Sequence, residues 1–276
     1  MKALSPAASR AGTTQSRSLV PAARRALGSP IGLKLVAGFV ILAAWEILVR
    51  AAAKDFVARP STVAVAIPAV LGDATFRAAA RSTIVSVVVG LAISLASGSV
   101  VGLAMGRLRP VDWSLRYHIA FLYAVPMTAI VPLLSLWFGF DADARLATVV
   151  FASFLTIVMN VSDGAKSVPL EYLEVARSFR AKWYHVLFGV TLPSAVPYLF
   201  AGIRLAAGRA LVAATVAELI SSIDGLGLYI LYNSRTYQHA RAFVAVLLLA
   251  VVAVGIEVGM NWATRRFLHH AGGRNP

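Results

Sequence analysis

The chain has 276 residues, of which 59% are hydrophobic and 14% are charged, whereas soluble domains carry about a quarter charged residues. This composition excludes an ordinary soluble domain and indicates that lipid is the solvent for much of the chain. The formal net charge of +14 would point to nucleic acid in a soluble protein, but here the basic residues flank apolar stretches. We therefore expect anionic lipid as the counter-ion and no nucleic acid partner.

In chain order, residues 1–29 are basic and rich in Ala and Ser, cannot bury a core, and are predicted to form a disordered tail. A transmembrane helix needs about 20 apolar residues. Stretches that reach or approach this length are 31–52, 84–105, 118–138, 146–161, 196–222 and 242–263. Their unbroken apolar character favours helices over barrel strands. We predict an all-α, polytopic membrane protein with six transmembrane helices, a membrane domain in residues 30–268 and a tail in residues 269–276.

An even number of spans places both termini on one side of the membrane. Lys and Arg are concentrated on that side, and the positive-inside rule then puts both termini in the cytoplasm. Arg77 and Arg81 fall on the opposite side, and the N-terminal tail supplies much of the difference. The first apolar run is longer than that of a cleavable signal peptide, so we expect it to be retained as the first span.

The second predicted span repeats a small residue at every fourth position, which places all of them on one helical face. These residues are Gly90, Ser94, Gly98, Gly102 and Gly106. Such ladders let helices approach closely in lipid. The ladder therefore predicts a close helix contact, with a contact inside the chain favoured over a seam between two copies.

The third predicted span contains Pro126 and Pro132, which interrupt the helical hydrogen-bond ladder. Broken helices line solute pathways in other transporters. We therefore consider Tyr123, Pro126, Met127 and Thr128 as candidate residues of a translocation pathway. The alternative is a kinked helix that serves only packing.

Residues 162–192 form the one long polar interruption deep in the chain. Pro169 suits a first helical turn, and Glu174 precedes Arg177 in the order that the helix dipole favours. The apolar side chains that could form a stripe on this segment are Leu173, Ala176 and Phe179, followed by Trp183, Tyr184 and Leu187. A stripe outside the bilayer predicts contact with a protein or with the membrane surface.

The fifth predicted span carries a second row of small residues that ends at a carboxylate: Gly202, Ala206, Ala210, Ala214 and Glu218. An ionisable group in a membrane costs several kcal/mol unless it faces protein or water. Glu218 is therefore a candidate gate or pathway residue, with a structural ion pair or an external cap as the alternative. Arg204 and Arg209 in the same span should point inward or snorkel.

The polar loop carries a spaced motif: Glu174-Val175-Ala176, then Arg180, then Leu192-Pro193. It resembles the cytoplasmic signature of permease subunits of ABC importers, the binding-protein-dependent transport inner-membrane components: Glu-Ala-Ala, three residues, Gly, nine residues, Ile-any-Leu-Pro. Val175 replaces the first Ala, and Arg180 stands at the family's Gly. A bulky residue adopts the left-handed turn of that Gly only at a cost of about 1–2 kcal/mol. Either the turn differs here or Arg180 makes a contact of its own.

Other motifs resemble the nitrate, sulfonate and taurine branch of that family. They are Ala-Val-Pro at residues 124–126, Leu-Trp-Phe-Gly at residues 136–139, and Glu218 followed by Gly-Leu-Gly at residues 225–227. The resemblance extends over about residues 35–268 and so covers most of the chain.

The resemblance implies an inner-membrane homodimer that works with ATP-binding cassette ATPase subunits and an extracytoplasmic solute-binding protein. It also implies that the loop forms coupling helices that dock on the ATPase, with Glu174, Val175, Ala176, Arg180, Leu192 and Pro193 as the coupling residues. Selectivity in this branch largely belongs to the binding protein, so organosulfonates, nitrate-like anions and heterocyclic vitamin precursors all stay open as substrates.

The sequence lacks Gly-x4-Gly-Lys-Ser/Thr, the phosphate-binding loop of ATPases, and contains no cysteine, paired-histidine motif or nucleophile elbow. We therefore expect no ATPase site, enzymatic activity, cofactor or metal. The rival interpretation is a gradient-driven carrier that uses Glu218 as its proton site, which leaves the spacing of the loop motif unexplained. A scaffold that only recruits partners is a third class, which substrate-dependent transport would separate from both carriers.

Overall fold

A computed structural model describes residues 30–52 and 57–271 of the chain. Within these ranges the regular elements are helices and no strand occurs. In chain order the helices are α1 Pro30–Ala51, α2 Pro60–Gly72, α3 Ala74–Arg107, α4 Arg109–Ala124, α5 Met127–Phe138, α6 Ala142–Lys166, α7 Leu170–Ser178, α8 Trp183–Val186, α9 Leu192–Ser221, α10 Leu226–Arg235 and α11 His239–Ala271. A π-helical turn, Leu187–Thr191, leads from α8 directly into α9.

Among the described residues, 5 helices are long and apolar enough to cross a membrane, and the number rises to 6 if the α4–α5 pair counts as one broken span. The five are α1, α3, α6, α11 and the continuous helical stretch that ends with α9. This result confirms the predicted all-α, polytopic class. The chain divides into two units, the first containing α1 with its Arg50–Glu46 ion pair of 2.7 Å and the second containing the remaining helices.

Local sequence signals explain where several helices begin and end. The side chain of Asp73 accepts a 2.9 Å hydrogen bond from the backbone N–H of Thr75 and caps α3. Asp141 caps α6 in the same way through the N–H of Asp143. Gly139 follows α5 at φ +93°, a conformation that glycine adopts readily. The short connections before α3 and before α6 therefore follow from residue types already visible in the sequence.

Helix α6 lies at the centre of the second unit. Of its most apolar 18-residue stretch, 61% is buried, compared with 28% for the corresponding stretch of α3. The small-residue ladder of α3 packs against it. A Cβ at Gly90 would overlap the side chain of Val149, and one at Gly102 would stand 2.8 Å from the backbone oxygen of Val158. The predicted close contact is therefore made within the chain.

The second row of small residues, on α9, also packs on α6. A Cβ at Gly202 would lie 2.9 Å from Cβ of Asn160, and the hydroxyl of Ser153 donates a 3.5 Å hydrogen bond to the carbonyl of Ala206. Residues with little side chain thus let α3 and α9 both approach the central helix closely.

Several boundaries differ from the sequence prediction. The third predicted span is not one helix, because α4 ends before Pro126 and meets α5 at an angle of 104°. Helix α3 begins at Ala74, ten residues before the predicted start of its span, and α11 continues to Ala271, into the predicted C-terminal tail. Residues 1–29, predicted to be disordered, lie outside the described residues.

Two helices were not predicted at all, α2 and α10. Both are short, and they pack with α11 around a cluster formed by Val63, Val70, Phe76, Leu226, Tyr229 and Val244. The ring of Phe76 meets that of Tyr229 edge-on, with centroids 5.3 Å apart. Each of these helices is too short for the length criterion of a span, which is why hydropathy alone missed them.

Candidate functional site

The turn after α7 has a left-handed residue at its centre. Arg180 has φ +49°, its N–H donates to the carbonyl of Arg177 at 2.8 Å, and the N–H of Ala181 donates to the carbonyl of Ala176 at 2.9 Å. These two bonds define a Schellman motif, in which the left-handed position usually holds glycine. Of the two alternatives for Arg180, the turn is therefore retained despite the larger side chain.

The exposed apolar face of α7 agrees with the predicted stripe at Phe179 but not at Leu173 and Ala176. Leu173 and Ala176 are half-buried, because Leu173 faces the end of α3 across a groove. Apart from Leu170 at the start of the helix, the exposed apolar residues are Tyr172, Val175 and Phe179, the last with 82% of its surface accessible. Since these positions follow at i, i+3 and i+7, they form one stripe on the free side of the helix.

The remaining residues of the loop motif lie around this stripe. Glu174 is exposed on α7, and within the described residues no ion pair or side-chain hydrogen bond involves its carboxylate. Leu192 is half-buried as the first residue of α9, and Pro193 is exposed two residues after the π-helical turn. The motif therefore extends from α7 to the start of a membrane-spanning helix.

A cavity of about 330 Å³ lies beside the break between α4 and α5. Tyr123 and Met127 line it, together with Arg209 from α9. The guanidinium carbon of Arg209 lies 3.8 Å from the centre of the Tyr123 ring, in cation–π geometry. Pro126 and Thr128 are exposed and do not line this cavity. Two of the four residues predicted around the broken span are thus brought together at one cavity.

Neither arginine of α9 pairs with Glu218. Arg204 donates a 3.2 Å hydrogen bond to the side-chain oxygen of Asn261 on α11. Arg209 is exposed in the middle of α9, and no carboxylate lies within ion-pair distance of it in the described part of the chain. The cavity therefore contains a positive charge that the described side chains do not neutralise.

Glu218 is fully buried in the last turn of α9, at the end of that helix opposite to Leu192 and Pro193. Its Oε1 accepts a 2.7 Å hydrogen bond from the hydroxyl of Thr83 and lies 3.3 Å from a guanidinium nitrogen of Arg145. Its Oε2 accepts a 2.7 Å bond from the backbone N–H of Gly227. The carboxylate thus joins α3, α6 and the first turn of α10, and its hydrogen-bonding capacity is well satisfied.

Arg145 is the residue that the sequence analysis missed, since it lies just outside the predicted span of residues 146–161. Only 2% of it is exposed, and its guanidinium donates to Ser82 at 2.8 Å and Ser86 at 2.9 Å on α3, and to the carbonyl of Asp224. Its position one turn after the Asp141 cap was the available signal, because a helix start predicts that the following turn enters the packed domain.

The Gly-Leu-Gly motif at residues 225–227 is explained by space around the same carboxylate. A Cβ at Gly225 would overlap the carboxyl group of Glu218, and one at Gly227 would stand 2.7 Å from the backbone oxygen of Thr215. The backbone N–H of Leu226, between them, donates to the hydroxyl of Thr83 at 2.9 Å. The two glycines let the loop backbone pass directly over the buried ion pair.

Comparison with known proteins places these features in one family. The family model for the inner membrane component of binding-protein-dependent transport systems matches residues 95–269. The chain is 28% identical over 232 residues to SsuC of Bacillus subtilis (strain 168), a permease named for aliphatic sulfonate transport, covering 83% of each chain. It is 28% identical over 194 residues to the taurine transport system permease protein TauC of Escherichia coli (strain K12), covering 70% of each chain.

The fold resembles a chain of the inward-facing MetNI methionine ABC transporter with a TM-score of 0.62 at 15% identity, covering 70% of this chain and 95% of that chain. The family model covers more than half of the sequence, and the relatives agree with the nitrate, sulfonate and taurine branch that the motifs indicated. The chain therefore belongs to the family of binding-protein-dependent transport system inner membrane components, as a permease subunit of an ABC importer.

Proposed function

We propose that the α7–α8 loop is the surface on which a separate ATPase subunit docks and through which it moves the membrane helices. The observation that carries this proposal is the exposed face of α7, where Tyr172, Val175 and Phe179 lie beside Glu174. An exposed apolar stripe with a carboxylate at its edge fits an apolar groove flanked by a basic residue. The Schellman turn at Arg180 fixes the direction of the chain after the stripe.

In this mechanism the chain carries no ATPase site, and two copies of it form the pathway. ATP binding brings the two ATPases together, and Leu192 and Pro193, at the start of α9, transmit the movement of the loop to a spanning helix. The pathway then opens to a solute-binding protein at the opposite end, and hydrolysis returns it inward. This is alternating access between two states, driven by their different affinities for ATP. The loop and both termini lie in the cytoplasm, and family membership supports this importer over a gradient-driven carrier.

The cavity beside the α4–α5 break is the proposed pathway. Tyr123, Met127 and Arg209 line it, and the unneutralised guanidinium favours a small anionic solute such as an organosulfonate. Relatives named for sulfonate and taurine transport support the same class. Pro126 creates the break, and Thr128, exposed beside it, faces the second copy or the solute when the pathway is assembled.

Glu218 is proposed to contribute to the outer gate indirectly. Its buried pair with Arg145 and its bond to Gly227 hold the loop before α10 against α3. The loop therefore moves together with α3, α6 and α9 when the outer end opens. This role combines the gate and the structural ion pair that the sequence left as alternatives.

The decisive experiment compares Glu174→Arg with wild type by mild purification of the tagged chain and mass spectrometry of the proteins that accompany it. Wild type should retain an ATP-binding cassette ATPase, and Glu174→Arg should lose it together with solute uptake, because the docking carboxylate is reversed in charge. Asp143→Arg is the matched control, since it reverses an exposed carboxylate near the start of α6, on the other side of the membrane.

Three results would contradict the docking proposal. Glu174→Arg could retain the ATPase at normal membrane levels, or Asp143→Arg could lose it equally. A wild-type chain that purifies alone and transports its solute with a proton gradient would favour the carrier instead.

A further inference from the structure

A groove of about 520 Å³ runs between the end of α3 and the α7–α8 loop. Its walls are mainly apolar: Val100, Leu103, Ala104 and Leu108 come from α3 and its end, and Leu173, Trp183, Val186 and Leu187 from the loop. Two arginines, Arg107 and Arg177, complete the lining. Neither the residues of the loop motif nor Tyr172, Val175 and Phe179 line it. The groove is therefore distinct from the exposed stripe of α7.

The two arginines give the groove a positive charge that no described carboxylate neutralises. Arg107 and Arg177 line the same groove, so their like charges repel each other, and within the described ranges no carboxylate lies in ion-pair distance of either. Two guanidinium groups facing one apolar groove disfavour each other unless an anion lies between them. A phosphate ester matches them well, because each guanidinium can donate two parallel hydrogen bonds.

The position of the groove along a membrane-spanning helix favours a lipid over a soluble partner as its ligand. Val100 lies two turns before Arg107 on α3, about 10 Å along the helix axis, and both belong to a membrane-spanning segment. One end of the groove is therefore at the depth of acyl chains and the other at the depth of headgroups. Trp183 also lines the groove, and tryptophan is enriched at membrane–water interfaces.

We propose that this groove binds one anionic phospholipid, with its phosphate between Arg107 and Arg177 and an acyl chain along Val100 and Leu103. The proposal rests on the cytoplasmic position of the α7–α8 loop proposed above. The lipid would connect the end of a spanning helix with the coupling loop. The inner leaflet would then affect how firmly the loop is held when an ATPase docks.

The test is native mass spectrometry of the full-length chain, with the subunits it retains, titrated with phosphatidylglycerol or with phosphatidylcholine of the same acyl chains. Phosphatidylglycerol should bind preferentially. Arg107→Gln and Arg177→Gln should each weaken its binding about fivefold, the loss expected for one cation at an anionic membrane surface. Arg265→Gln, which removes an exposed arginine outside the groove, should leave binding unchanged, and inorganic phosphate should not displace the lipid.

The proposal is overturned if both lipids bind equally or if Arg265→Gln weakens binding as much as the groove variants do. It is also overturned if Arg107→Gln and Arg177→Gln release an ATPase or a second copy of the chain while phosphatidylglycerol binding is unchanged, because the groove would then belong to a protein. Glu174→Arg separates the two proposals: it should lose the ATPase and still bind phosphatidylglycerol.

Discussion

A guanidinium nitrogen of Arg145 on α6 lies 3.3 Å from the carboxylate of Glu218 on α9, and both side chains are buried. The pair joins two membrane-spanning helices, near the start of α6 and the end of α9. A buried ion pair contributes less to stability than its geometry indicates, because both charges have lost their hydration. Its larger effect appears when one partner is removed and the other charge stays buried alone.

Glu218→Gln should therefore lower the free energy of unfolding by about 3–5 kcal/mol, measured by denaturant or thermal unfolding of the purified chain. The double variant Arg145→Met/Glu218→Gln should lose less stability than the two single variants added together. The reason is that the double change removes both charges and leaves no buried charge without a partner. Arg50→Gln breaks an exposed pair with Glu46 and should cost at most about 1 kcal/mol. Equal losses for the buried and the exposed pair would contradict this account of Glu218.

Arg180→Gly should stabilise the turn after α7 by about 1 kcal/mol, because glycine adopts φ +49° without the strain of a side chain. Hydrogen exchange at the Ala181 amide, which closes the turn, should slow accordingly. Arg180→Ala removes the side chain but keeps most of the strain, so it should not slow exchange. If both variants lose the ATPase, Arg180 makes a contact of its own and the turn geometry alone does not explain its presence.

Gly102→Ala should destabilise the chain by about 1–3 kcal/mol through overpacking, because its Cβ would stand 2.8 Å from the backbone oxygen of Val158. Gly255→Ala is the matched control, as its Cβ would meet no atom of another described helix within 4 Å. That change should be neutral or slightly stabilising, given the better helix propensity of alanine. Thermal unfolding of the two variants side by side measures the difference, and equal midpoints would argue against the α3–α6 contact.

Arg209→Gln should lower uptake of a small anionic solute about tenfold, a loss of about 1.4 kcal/mol, with the chain still present at normal levels in the membrane. Growth of the host on ethanesulfonate as its sulfur source gives the readout. Arg204 lies on the same helix, but its side chain bonds Asn261 and does not line the cavity. Arg204→Gln should therefore change growth little. Similar defects in both variants would indicate general damage to α9 rather than loss of a solute contact.

Much of the architecture could be predicted because membrane-spanning helices depend on the length of apolar stretches along the sequence. Unbroken apolar stretches predicted the long helices of the described region, although the third one breaks at Pro126 and bends by 104°. The ladders of Gly90 to Gly106 and Gly202 to Ala214 predicted close contacts, since positions four apart share a helical face. The short helices α2 and α10 were not predicted because each is shorter than a membrane span, and their positions depend on packing with α11.

The sequence by itself determined the class of the protein, its spans and the spaced loop motif around Glu174, because these depend on composition and on local spacing along the chain. Only the tertiary structure decided that Arg145 is the partner of Glu218, that Arg209 faces Tyr123, and that Arg180 keeps a left-handed turn. Arg145 and Glu218 are separated by 73 positions. The physical reason is that a charge buried in a membrane protein takes the partner that helix packing brings within reach, and packing depends on surfaces contributed by distant segments of the chain.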